Sequence, residues 1–187
     1  MPVKDDSDVK IFIPSKRADK DGGVLSYVEG MNHHRQNGNV EKAKQLGEYI
    51  AELAFESGLS ENISDEIFFT DEFYSQLCAL MLFSAEAALN YYLPSQQLSA
   101  TAINSLHERL IEKNHPVYDN VMSSPAFSFY YLSVRKGGTD IPTDIGEAFA
   151  MLCRQENNDK FIAQGKNLYS MILGVIEAKI IDLKFEN

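Results

Sequence analysis

The sequence predicts an all-α fold in which antiparallel helical hairpins pack around a central apolar helix (71–93), together with a long C-terminal helix. Three observations predict this fold. A nearly uncharged apolar segment lies in the middle of the chain, apolar residues recur at helical spacing on both sides of it, and turn residues separate the resulting segments. The leader 1–23 is polar and we expect it to be loosely attached, so that residues 24–187 form a single all-helical domain.

The central helix is predicted from the segment Phe73–Leu93, in which Glu86 is the only charged residue. A helix this apolar must be covered by other elements on most of its sides. Gln76 and Asn90 also interrupt the segment, which therefore stays below the roughly 18 uninterrupted apolar residues of a membrane span. We expect a buried helix rather than a membrane-spanning one, and no association with a membrane.

A first helical hairpin is predicted between the leader and the central helix. Asp21-Gly22-Gly23 predict a hinge at the end of the leader. Apolar residues at helical spacing then predict helices at about 24–36 and 40–56. Between them, Asn37-Gly38 is typical of a left-handed helix stop, and Asn39 is expected to cap the second helix.

Four further helices are predicted after the central one. His115-Pro116 ends the first of them, because the residue before a proline avoids the helical region. Ser124-Pro125 begins the second, which ends at Gly137-Gly138, and Thr143 caps the third. The first, third and fourth span about 99–114, 144–155 and 159–184. The fourth would be roughly 38 Å long, enough to cross the whole domain.

Charge and cysteine content exclude several classes of protein. The chain has 17 basic and 27 acidic residues, for a net charge of -10, so it lacks the basic footprint of a nucleic-acid-binding protein. Cys78 and Cys153 lie in apolar helical runs without metal-ligand spacing, so we expect two buried, unreactive thiols. Reduced thiols and the lack of an apolar export signal near the N-terminus predict a cytoplasmic protein.

No motif in the sequence indicates catalysis or a cofactor. There is no Walker loop, no dinucleotide-binding glycine pattern, and no metallopeptidase or serine-hydrolase motif. The four histidines are His33, His34, His107 and His115. Glu112 and His115 give the Glu-x-x-His spacing of a di-metal bundle once, whereas such a bundle needs it on two helices. We therefore expect neither a metal site nor a cofactor.

Glu86 requires an explanation because it interrupts an otherwise apolar helix. It shares a narrow stripe of that helix with Asn90. An unpaired buried carboxylate is costly, so either the stripe faces solvent or Glu86 has a partner, such as Asn90 or a residue of another helix. A carboxylate buried in a pocket would instead mark a functional site.

Two functions remain open at this stage. The first is a non-catalytic protein-interaction or scaffold module, with an unknown protein partner or self-association. It is predicted from the stacked hairpins, the aromatic-rich segment at 127–131 and the missing catalytic motif. The alternative is a small-molecule-binding protein or an enzyme with a helical pocket centred on Glu86. Its candidate ligand-binding residues are Glu86, Asn90, Tyr91, His33 and His34. Finding Glu86 in a cavity beside a histidine would favour the alternative, and a broad concave aromatic face would favour the module.

Overall fold

The computed structural model describes residues 20–53, 71–113, 118, 121, 124–135 and 140–186. Within these ranges every regular element is a helix and no residue lies in a strand, so the predicted all-α fold is confirmed. The helices are α1 (Lys20–Gln36), α2 (Asn39–Ala51), α3 (Asp71–Tyr92), α4 (Gln96–Glu112), α5 (Ala126–Arg135), α6 (Ile141–Leu152) and α7 (Asp159–Leu183). The leader up to residue 19, the predicted end of the second helix near 56, the break at His115-Pro116 and the stop at Gly137-Gly138 lie outside the described residues.

The predicted central helix is confirmed as α3, within one residue of its expected bounds. Leu77–Ala85 are nine consecutive residues that are all buried. Nine residues make about two and a half helical turns, so α3 is covered on every side along this stretch. Its one buried hydroxyl, on Ser84, donates to the carbonyl of Leu80 at 2.7 Å. The long helix α7 supplies the most extensive cover, and α4, α5 and α6 supply the rest.

Helices α2 and α4 approach each other closely and run in the same direction. Ser105 donates to the carbonyl of Lys44 at 3.0 Å, and Arg109 pairs with Glu52 at 3.1 Å. The later residue of α2 contacts the later residue of α4, so the two helices are parallel. The approach depends on Gly47, because an ideal Cβ at this position would lie 2.2 Å from a carbonyl oxygen of α4. The two pairs that pack most extensively are α2 with α4 and α6 with α7. Contacts between α1 and α2, α3 and α4, and α5 and α6 are smaller.

The start of α1 and the turn after it differ in part from prediction. α1 begins at Lys20, so Asp21-Gly22-Gly23 lie in the helix and the predicted hinge is wrong. Glycine costs a helix only about 1 kcal/mol relative to alanine, which does not force a break. Gly38 adopts the predicted left-handed conformation, with φ 78°. Asn39 does not cap α2 with its side chain, because that side chain is fully buried and binds the backbone of Glu186 instead.

Helix α6 also differs from prediction at both ends. Asp140, rather than Thr143, is its N-cap, and its carboxylate accepts from the backbone N–H of Thr143 at 3.3 Å. The reason is Pro142, whose fixed φ favours the first helical turn.

Cys153 follows the helix and is only partly buried, so the expectation of two fully buried thiols holds for Cys78 alone. Burial raises the pKa of Cys78 to about 11, despite its hydrogen bond with Tyr74.

None of the helices in the described part of the chain has the length and apolarity needed to cross a bilayer. This includes α3, whose residues Leu77–Ala85 are all buried.

Candidate ligand-binding groove

A groove of about 620 Å³ lies between α3 and α5. We call it the α3–α5 groove. It is lined by Phe83, Glu86, Ala87, Asn90 and Tyr91 from α3 and by Phe127, Ser128, Tyr131 and Val134 from α5. On each helix the lining residues recur three or four positions apart, so each helix contributes one face.

The groove has an aromatic wall because contacts with both α3 and α6 hold α5 in one orientation. Ala126, Tyr130 and Ser133 of α5 are buried, which fixes the rotation of that helix about its axis. Phe83 contacts Phe127 edge to face, with ring centroids 6.0 Å apart, and it also contacts Tyr130 at 5.3 Å. The wall is therefore apolar and held in place by the packing of both helices.

Glu86 lies in the wall of this groove and has a histidine partner. One carboxylate oxygen, Oε1, is 2.8 Å from Nε2 of His107, which belongs to α4. The Glu86 side chain remains 25 % exposed and that of His107 is 16 % exposed. The earlier alternatives are thus resolved, since Glu86 is half-buried and paired with a residue of another helix.

His107 in turn contacts Tyr118, whose hydroxyl lies 2.8 Å from its Nδ1. A carboxylate only accepts hydrogen bonds, so Nε2 of His107 carries the proton that is donated to Glu86. In a neutral ring Nδ1 is then an acceptor and the Tyr118 hydroxyl is its donor. We call this arrangement the Glu86–His107–Tyr118 network. It joins α3, α4 and the segment that follows α4, and it fixes the direction of the carboxylate.

Asn90 and Tyr91 complete the α3 side of the groove. The side-chain oxygen of Asn90 accepts a hydrogen bond from the hydroxyl of Ser99 on α4, so Asn90 does not pair with Glu86. Tyr91 is 79 % exposed and its ring packs edge to face on that of Tyr92, with centroids 4.9 Å apart. On the α5 side Tyr131 is 60 % exposed, so a tyrosine lies at the rim of each wall.

The two other candidate residues, His33 and His34, lie elsewhere. His34 contacts the hydroxyl of Ser95 at the start of α4 through Nε2, at 3.1 Å, and its Nδ1 is buried without a hydrogen-bond partner in the described structure. Burial, and then the neighbouring His33, lower the pKa of His34 below its ordinary value. His33 accepts from the side-chain amide of Asn37 at 3.4 Å. The structure therefore brings Glu86, Asn90 and Tyr91 together, whereas His34 lies at the contact between α1 and α4 and His33 is exposed beside it.

A second depression, of about 370 Å³, lies on the other side of α5. We call it the α5–α6 surface. It is lined by Phe129, Leu132 and Ser133 from α5 and by Asp144, Glu147, Ala148 and Met151 from α6. Phe129, Leu132 and Met151 are exposed apolar side chains. Among the described residues, no group of three or more histidine, cysteine, aspartate or glutamate side chains is placed to hold a metal ion.

No protein-family model, curated protein or solved structure matches this chain. Its function therefore has to be argued from the groove and the surfaces themselves.

Proposed function

We propose that this protein binds a small organic molecule in the α3–α5 groove. The observation that carries the proposal is the carboxylate of Glu86, held by His107 in the wall of a mainly apolar and aromatic groove. A volume of about 620 Å³ lies within the range of roughly 300–1,000 Å³ typical of ligand sites. An apolar lining with a few polar groups that fix orientation is also typical of such sites.

The fixed direction of the carboxylate supports binding. A free glutamate side chain loses rotamer freedom when it pairs with a ligand, which weakens affinity. In the Glu86–His107–Tyr118 network much of that freedom is already lost before any ligand arrives. Because Glu86 remains partly exposed toward the groove, a ligand can reach the carboxylate without breaking the network.

We propose binding without catalysis because the sequence contains no catalytic motif. We therefore retain the non-catalytic part of the sequence-based prediction and assign the groove to ligand binding.

Filling the groove tests the proposal. Ala87 lines the groove and is only partly buried, so Ala87→Phe occupies the cavity without entering the core. Ala100→Phe, at an exposed position of α4, is the matched control. A fragment library screened by ligand-observed NMR should give hits that bind the wild type and Ala100→Phe but not Ala87→Phe. Hits that bind all three proteins equally, or no hits at all, would contradict the proposal.

The interaction-module hypothesis is favoured by a different observation, the α5–α6 surface. Phe129, Leu132 and Met151 form its exposed apolar part, and Asp144 and Glu147 are the charged residues among its described lining. Apolar side chains beside two acidic ones suit a basic amphipathic helix from a partner protein.

A matched pair of variants tests that second function. Leu132→Ser should weaken binding of a lysine- and leucine-containing amphipathic peptide, measured by fluorescence anisotropy. Ile181→Ser, an exposed apolar position on α7, should not. Equal binding by both variants would show that the peptide only senses the net charge of the protein.

A further inference from the structure

Resting on the proposed function of the α3–α5 groove, we infer that its ligand is an organic amine with an apolar body, whose ammonium group pairs with Glu86. The distribution of charge along the groove indicates this chemical class. Among the described residues that line the groove, Glu86 alone is charged.

The charge of Glu86 discriminates among head groups. An anionic ligand would place its charge beside the carboxylate, with no lysine or arginine in the described lining to offset the repulsion. A neutral apolar ligand would displace water from the carboxylate without replacing its hydrogen bonds, which is unfavourable. An ammonium group instead replaces that water with charge-assisted hydrogen bonds, which are about twice as strong as neutral ones.

The geometry of Glu86 leaves room for such a head group. His107 approaches one carboxylate oxygen, Oε1, and a carboxylate has about four acceptor positions on its two oxygens. The Tyr118 hydroxyl occupies Nδ1 of His107, so this ring approaches Glu86 through Nε2 alone. His107 therefore orients the carboxylate, which makes His107 a positioning residue.

The aromatic side chains of the groove support the same ligand class. Tyr91 and Tyr131 stand at the rim, and the faces of tyrosine rings attract cations within about 6 Å. Phe83 and Phe127 offer an apolar wall for the body of the ligand. The net charge of -10 adds a long-range attraction for cations, which salt should weaken. A bare metal ion fits less well, because no metal-binding cluster occurs among the described residues.

Three probes that share one body and differ in the head group test the inference. They are 4-phenylbutylamine, 4-phenylbutanol and 4-phenylbutyrate, titrated into the full chain by isothermal calorimetry at low salt. We expect the wild type to bind the amine at least about tenfold more tightly than the alcohol, since a hydrogen bond to a charged group is worth at least that factor. The carboxylate probe should bind more weakly than the alcohol.

Variants of Glu86 decide whether the preference comes from this residue. Glu86→Gln keeps an acceptor for His107 and should lose the preference for the amine while binding the alcohol within about twofold of the wild type. Glu48→Gln, at an exposed position of α2, is the control for net charge and should keep the preference. Glu86→Lys should reverse the order and favour 4-phenylbutyrate. Circular dichroism and melting temperature establish that each variant is folded.

The outcomes separate this inference from the proposed function. Any of three results would overturn the inference. The wild type could bind the three probes with equal affinity, the preference for the amine could survive in Glu86→Gln, or the amine could fail to bind at millimolar concentration. The proposed function would still stand if the fragment screen gave hits that Ala87→Phe abolishes. If that screen fails as well, the ligand-binding function itself is wrong.

Discussion

At the scale of the residue, the Glu86–His107–Tyr118 network was only partly predictable from the sequence. The sequence shows that Glu86 needs either solvent or a partner, because a lone buried carboxylate is unfavourable. It does not show which partner, since His107 lies on a different helix, 21 residues away, and nothing in the local pattern of α4 distinguishes it. His33 and His34 are no less prominent in the sequence, yet both lie on α1, where His34 contacts the start of α4 and His33 is exposed.

His34 gives a residue-scale prediction for pH. Burial and the neighbouring His33 lower its pKa in the folded protein below the ordinary value of 6.5. The unfolded chain therefore binds more protons at His34 than the folded chain does, and the free energy of unfolding falls as the pH drops below about 6.5. Urea denaturation from pH 7.5 to 5 should show a steeper loss for the wild type than for His34→Gln.

Asn104→Gln, at an exposed position of α4, is the control for this experiment, because it leaves both histidines of α1 in place. Wild-type and His34→Gln curves that run parallel over the whole range would refute the role assigned to His34.

At the scale of the element, two glycines in helices have opposite roles. An ideal Cβ at Gly47 would lie 2.2 Å from the carbonyl oxygen of Ala102, and 2.8 Å from the backbone nitrogen of Leu106. Backbone atoms of α4 cannot move aside without moving the helix. An ideal Cβ at Gly174 of α7, by contrast, meets nothing within 4 Å.

We therefore expect Gly47→Ala to destabilise the protein by about 1–3 kcal/mol, because it overpacks the contact between α2 and α4. Gly174→Ala should stabilise it by up to about 1 kcal/mol, because alanine is the better helix former. Urea denaturation of both variants measures the two values. If Gly47→Ala were as stable as the wild type, the two helices would have to be farther apart than described.

The helices themselves follow from the sequence more completely than their contacts do. α3 was predictable because 21 residues with a single charge, between Phe73 and Leu93, leave few alternatives to a covered helix. The parallel contact of α2 with α4 was not predictable from the sequence. Gly47 belongs to the apolar stripe of α2, and that stripe does not show which helix packs against it. A pocket centred on Glu86, with Asn90 and Tyr91, was one of two functions left open by the sequence. The second wall of the groove was not predicted, because it comes from α5, a helix distant in sequence.

At the scale of the whole molecule, the C-terminal segment is bound to the beginning of α2. Asn39 donates to the carbonyl of Glu186 at 2.6 Å and accepts from its backbone N–H at 3.0 Å. Lys42 donates to the carbonyl of Lys184 at 2.8 Å. These bonds connect residues that are more than 140 positions apart, so they couple the first hairpin to the end of α7.

Asn39→Ala should remove both of its bonds and lower the free energy of unfolding by about 1–3 kcal/mol. Asn104→Ala, at an exposed position of α4, should change it by less than about 0.5 kcal/mol. Hydrogen exchange followed by mass spectrometry should show faster exchange at residues 184–186 in Asn39→Ala only. Unchanged exchange there would mean that other contacts hold the segment in place.

The burial of α3 also constrains how the protein is made. A ribosome releases α3 long before α7, its most extensive partner, because the chain from Tyr92 to Asp159 must be synthesised in between. At a synthesis rate of roughly 5–20 residues per second, the part of α3 that α7 covers stays uncovered for several seconds. During that interval the nascent chain offers a binding site for holding chaperones, and slow translation would prolong its risk of aggregation.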